Sequence, residues 1–155
     1  MDIKFLKGVL VEDDVNNNPY VFLDIDGVLI PAPFRSAELN IGCVQQINRL
    51  VNETGARVIL SSSWRQDNSL EAMNKFFKDN GITFEIADYT ITLPGDIFEV
   101  RGQEIQDYIN SHGIKNYLVI DDMRVNIKRL LKCLSVEGLT KELADRGIEL
   151  LKRGI

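Results

Sequence analysis

The stretch YVFLDIDGVLI, residues 20–30, sets two carboxylates, Asp24 and Asp26, inside an otherwise apolar run. Its first half is short, aromatic and β-branched, the pattern of a buried strand. An ionised carboxylate is costly in such a place unless it is paired or bound to a metal. The two aspartates therefore belong where the strand leaves the sheet, and Gly27 allows a sharp exit there.

Working outward, three further apolar runs read as strands: RVIL (57–60), ITFEIA (82–87) and YLVI (117–120). CLSV (133–136) reads as a short final one. Between them apolar residues recur at helical spacing. Ile41, Val44, Ile47, Leu50 and Val51 predict a helix stopped at Gly55, and Leu70, Met73, Phe76 and Phe77 one ending at Asn80-Gly81. Ile105, Tyr108 and Ile109 predict a third, stopped near Gly113, and Ile127, Leu130 and Leu131 a fourth. The last helix lies in GLTKELADRGIELL (138–151), with Thr140 as N-cap. PAPF (31–34) and Pro94-Gly95 force loops. This alternation predicts a three-layer α/β domain with a mainly parallel, Rossmann-like sheet, whose ligands sit beyond the carboxyl ends of the strands.

A chain of 155 residues with 45% apolar and 26% charged residues suits one compact domain. The formal net charge of −5 argues against broad, nonspecific nucleic-acid binding but leaves room for a local pocket that takes one phosphate. Cys43 and Cys133 lack metal or disulfide spacing and read as packed thiols. His112, before Gly113, reads as a helix end, not a catalytic base. Residues 1–19 stand apart as an N-terminal appendage, expected either to pair as an edge strand or to stay mobile, with 20–155 as the domain. FLKGVLV (5–11) is too short and too charged for a signal peptide or a membrane span, so a cytoplasmic location is expected.

Three polar clusters directly follow predicted strands: Asp24-Ile25-Asp26-Gly27, Ser61-Ser62-Ser63 and Asp121-Asp122. Parallel strands would bring all three to one edge of the sheet. Clustered carboxylates there make a site for a hard divalent cation, Mg²⁺ foremost, which pairs naturally with a phosphate. Asp24 and Asp26, two apart at a strand end, can divide the work of nucleophile and proton carrier. A DxDG segment also occurs in calcium loops, but those need a third ligand before the glycine and a downstream glutamate, and this one is flanked by apolar residues.

In these residues the sequence resembles the haloacid dehalogenase (HAD) superfamily: FLDIDGVL, VILSSSW and LVIDDM resemble its motifs I, II and IV. SSSWR, RGQEI, VIDD and GLT are similar to a small group of capless HAD domains, some grouped with RNA-repair proteins. The resemblance implies a Mg²⁺-dependent phosphomonoesterase. Asp24 would be the nucleophile that forms an aspartyl-phosphate, its other oxygen holding the metal. Asp26 would be the general acid/base, its backbone carbonyl touching the metal. Ser61, with Ser62 as rival, would supply the motif II hydroxyl. Asp121 and Asp122 would be the acidic metal motif, Asp122 being the better direct ligand. Motif III normally supplies a lysine; Arg101 stands in the expected place and Lys115 is the alternative. Val28 departs from the family's common threonine.

Trp64 and Arg65 have two readings. Trp64 packs under a loop while Arg65 pairs with a carboxylate, or the two form a substrate wall, an aromatic face beside a cation. Arg35 and Arg124 read as solvated charges at the same edge. The 34 residues between Asp26 and Ser61 must hold a loop, a helix and a strand, which leaves no room for a large cap. An open site suits a bulky substrate such as a phosphorylated nucleic-acid end or a phosphoprotein. A phosphotransferase, or a silent HAD-like module that binds a phosphate or a partner, is the alternative.

Overall fold

In a computed structural model, residues 18–154 are described. The expectations for the segment before them fall outside these residues. Five strands form one parallel sheet in the order β3-β2-β1-β4-β5. They are β1 (Tyr20–Leu23), β2 (Arg57–Leu60), β3 (Ile86–Tyr89), β4 (Tyr117–Asp121) and β5 (Leu130–Lys132). Four helices connect or follow them: α1 (Ile41–Thr54), α2 (Leu70–Asp79), α3 (Ile97–His112) and α4 (Lys141–Arg153). Strand order reverses between β1 and β4, the place where open α/β sheets bind ligands.

Strand residues alternate between faces, and that period sorts the core into two layers. Val21, Leu23, Val58, Leu60, Leu118 and Ile120 face α1, α2 and α4, meeting Ile47, Leu50, Phe77 and Leu151 among others. Tyr20, Phe22, Ile59 and Val119 face α3 through Ile105, Tyr108 and Ile109. Each such buried large apolar side chain stabilises the fold by about 1.5–3 kcal/mol.

Helix ends follow local chemistry. Asn40 caps α1 by accepting from the Cys43 amide, and Gly55 closes it in the left-handed region. Thr140 caps α4 as expected, its side chain accepting from the Leu143 amide. His112 ends α3, stacked on Tyr108 at 3.8 Å between ring centroids. Cys43 and Cys133 are free and buried. No helix among the described residues is long and apolar enough to cross a membrane.

Four details differ from the sequence expectation. Ile127, Leu130 and Leu131 do not form a helix: residues 122–129 are irregular and Leu130–Lys132 is β5. Leu131 packs in the layer with α1 and α4 while Leu130 packs with α3, the two-residue period of a strand too short to show a pattern. CLSV is a turn, closed by the Leu134–Gly138 bridge, rather than a strand. The third strand begins at Ile86, because Ile82 and Phe84 are spent packing against the end of α2. Ile41, placed on the apolar stripe of α1, is 75% exposed, and Cys43 takes its place.

Candidate active site

The ladder runs one residue past the apolar register. The Asp24 amide donates to Ile120 O, Ser61 to Leu23 O and Thr90 to Leu60 O, at 3.0–3.1 Å. Leu23 pairs with both Leu60 and Ile120, so the next row across the sheet is Thr90, Ser61, Asp24 and Asp121. By alternation this row shares the α3 face with Phe22, Ile59 and Val119. The opening puzzle is thereby resolved: Asp24 is buried, but in a polar row covered by the buried polar side chains Arg101 and Glu104 of α3.

Arg101 of α3 reaches that row. Its Nη1 donates to Asp121 Oδ2 at 2.7 Å and lies 3.5 Å from Asp24 Oδ1. Gly102 lets α3 come close, since a Cβ there would stand 2.9 Å from Asn126 O. Lys115, the alternative cation, is exposed before β4 begins, and the four steps from Tyr117 to Asp121 alone span about 13 Å.

Oxygen atoms of Asp24, Asp121 and Asp122 lie within 4.8 Å of one another. Burial, then the neighbouring Asp121 charge, pushes the Asp24 carboxyl well above its ordinary range, with Arg101 opposing. Asp122 is raised by the same two causes. Asp121 has both oxygens engaged, Oδ2 by Arg101 and Oδ1 by the Met123 amide at 2.9 Å. Asp122 lies against the Asp-x-Asp-Gly turn so closely that a Cβ on Gly27 would collide with its carboxylate, and Gly27 has φ +81°. Three clustered carboxylates, two of them beside the Arg101 guanidinium, offer oxygen donors only and fit a hard divalent cation such as Mg²⁺. The Asp26 carboxylate stands outside this cluster, half-buried, and accepts from Trp64 Nε1 at 3.2 Å.

Ser61 and Ser62 separate cleanly. Ser61 Oγ is buried beside Asp24 in the row and has no hydrogen-bond partner among the described residues. Ser62 Oγ accepts from the Trp64 amide and caps the 3-10 turn Ser63–Gln66, a local structural role that Ser61 lacks. Of its two readings, Arg65 takes the one that pairs it with a carboxylate. Its guanidinium is buried and donates to the carbonyls of Ser61, Ser62, Thr90 and Ile91, and Nη2 pairs with Glu104 Oε1 at 2.9 Å. No N–H is left for a ligand, and burial pulls the guanidinium pKa below its ordinary value despite Glu104. Trp64 packs on Phe76 of α2, ring centroids 5.3 Å apart, and borders an open groove of about 370 Å³ with Asp26, Ser63, Asp67 and Asn68. Arg35 and Arg124 are exposed.

Sequence reasoning missed Glu104 and Thr90. Glu104 pairs with Arg65 and accepts from the Leu93 amide at 2.9 Å. Its signal was the i, i+3 spacing from Arg101, which puts both on one helix face. Thr90 Oγ1 is buried without a partner among the described residues, as is Arg101 Nε; nothing in the local sequence marked Thr90.

A parallel sheet reversing at β1/β4, with an Asp-x-Asp-Gly turn after one strand and paired aspartates at the end of the other, is the capless HAD core that the sequence resembles. More narrowly, residues 20–144 match the family described as HAD domain in Swiss Army Knife RNA repair proteins, and the chain belongs to that family. Comparison with curated proteins gives no match.

Proposed function

We propose that this HAD domain is a Mg²⁺-dependent phosphomonoesterase working through an aspartyl-phosphate on Asp24. The observation that carries the proposal is the convergence of Asp24, Asp121 and Asp122 beside Arg101 and the unpartnered Ser61 hydroxyl. Asp24, Asp122 and Asp121, with the Asp26 carbonyl, would hold the metal, which when bound neutralises phosphoryl oxygens and keeps Asp24 ionised. An Asp24 oxygen attacks phosphorus as the P–O bond to the leaving group breaks. Asp26 gives its proton to the departing oxygen, then takes one from the water that cleaves the acyl phosphate. Arg101 balances charge on Asp24, and Ser61 Oγ is free to donate to a phosphoryl oxygen.

The substrate class we favour is a phosphorylated nucleic-acid end or another bulky phosphate ester. Support comes from the absence of a cap among the described residues and from the rim. The large apolar side chains left exposed, Phe34, Ile41, Ile91, Phe98, Leu134 and Val136, all lie in strand-to-helix connections or at the helix starts they lead into, around the catalytic edge. A cytoplasmic location and the lack of broad nucleic-acid affinity belong to the same reading.

The test is phosphate release from an aryl phosphate and from phosphorylated RNA, DNA, peptides and nucleotides, with and without Mg²⁺. Mg²⁺-dependent release, abolished by Asp24→Asn, is expected. Silence across the panel with Mg²⁺ still bound would favour a binding module, and transfer to an added alcohol in preference to water would favour a phosphotransferase.

A further inference from the structure

We propose that Trp64 is a positioning residue that holds the Asp26 carboxylate in place for proton transfer, an inference that rests on the phosphatase reading above. The contact is Trp64 Nε1–H to Asp26 Oδ2 at 3.2 Å. Among the described residues it is the hydrogen bond made by the Asp26 side chain.

The indole is itself fixed from several directions. Its backbone lies in the 3-10 turn capped by Ser62 Oγ. The next residue, Arg65, ties that turn to both flanking strand ends through four carbonyls and to α3 through Glu104. The ring rests on Phe76 with an interplanar angle of 33°. Buried Arg65 and its Glu104 partner thus act as a scaffold whose output is the direction of one N–H.

Asp26 needs such a tether. It sits at the Gly27 turn, half-buried and next to a groove, outside the three-carboxylate cluster. A carboxylate there has a choice of rotamers. With Oδ2 held by the indole, Oδ1 remains for the leaving oxygen. The proton passes from Asp26 to that oxygen as its bond to phosphorus breaks, so in this transfer step a displaced carboxylate slows only departures that need the proton, whereas the later hydrolysis is common to all esters.

Trp64→Phe keeps an aromatic ring on Phe76 and removes the N–H. The expected result is a selective loss. The kcat/KM ratio of an alkyl phosphate, whose alkoxide must be protonated, to an activated aryl phosphate reports the transfer to Asp24 and not the shared hydrolysis, and it falls about tenfold, the size of one net hydrogen bond. KM for the alkyl ester moves little. Equal losses of kcat/KM on both esters, or a rise in KM alone, would overturn the proposal in favour of a packing or substrate-contact role.

Trp64 is the single tryptophan in the chain, so one indole N–H resonance reports on it without any need for turnover. In Asp26→Ala that resonance is expected to shift while the backbone spectrum stays native. An unmoved resonance would overturn the contact itself, even where Trp64→Phe fails to fold. Absence of wild-type turnover on both esters would overturn the phosphatase reading and the catalytic half of this inference, while the resonance still decides the contact.

Discussion

Glu104 and Arg65 meet at 2.9 Å with side chains 3% and 2% exposed, a buried ion pair joining α3 to the turn that follows β2. Neutralising Glu104 leaves Arg65 desolvated with carbonyl partners but no counter-charge. Glu104→Gln keeps the shape and drops the charge. It is expected to cost about 3 kcal/mol of unfolding free energy, measured by urea denaturation followed through Trp64 fluorescence. A midpoint equal to wild type would show that the pair contributes nothing.

The three-carboxylate cluster makes a statement about metal linkage. Mg²⁺ at a hundredfold excess over its Kd is expected to stabilise the fold by about 2.7 kcal/mol. Asp122→Asn should lose that response. In the absence of metal it should also be no less stable than wild type, because a like charge has gone. Asp26→Asn should keep the response, since its carboxylate is outside the cluster. Thermal melts with and without Mg²⁺ separate the three proteins, and equal responses in all would refute this metal set.

Gly27 meets two demands at once, a φ of +81° and the close approach of Asp122. The backbone conformation alone should make Gly27→Ala cost about 1–2 kcal/mol, and the displaced Asp122 should weaken the Mg²⁺ response as well. A variant that loses stability yet binds Mg²⁺ like wild type would separate the turn from the metal site.

The thiol of Cys133 is fully buried, and burial with the nearby Cys43, Asp121, Asp122 and Asp24 pushes its pKa up to about 12 from an ordinary 9.0. Between those values the unfolded chain has lost a proton that the folded chain keeps. The stability owed to this group is therefore complete below pH 9 and falls as the pH rises toward 12, by at most about 1.4 kcal/mol per pH unit. Urea titrations at pH 8, 9 and 10 should show wild type declining more steeply than Cys133→Ala. Parallel declines would mean the thiol ionises normally in the fold.

Much of this architecture was legible because strong periodicities carry it. β1, β2 and β4 are apolar on both faces, and each runs straight into a polar cluster, which fixes the edge where Asp24, Ser61 and Asp121 meet. Arg101 was readable as the cation that opens the third helix, but not the turn before it: α3 starts at Ile97, and the side chains its first half turns inward are Arg101 and Glu104, because they cover a polar row. β5 was hidden because three residues show no period. The pairing of Arg65 with a carboxylate was among the readings of the sequence, but the cap made by Ser62 and the carbonyls gathered by Arg65 were hidden for another reason. Whether a serine caps a turn or an arginine collects carbonyls depends on where the turn after β2 meets the strand end of β3 and the helix α3, which is tertiary information.

The most direct test of the account is to look for the phosphoryl group on Asp24. Asp26→Asn incubated with Mg²⁺ and an activated aryl phosphate should still attack phosphorus through Asp24, expelling the aryl oxide, but should hydrolyse the acyl phosphate slowly. Acid quench, digestion and mass spectrometry are then expected to find the phosphoryl group on the peptide holding Asp24, and none in Asp24→Asn. Phosphate release by wild type with no adduct at Asp24, and with Asp24→Asn still active, would contradict the central claim.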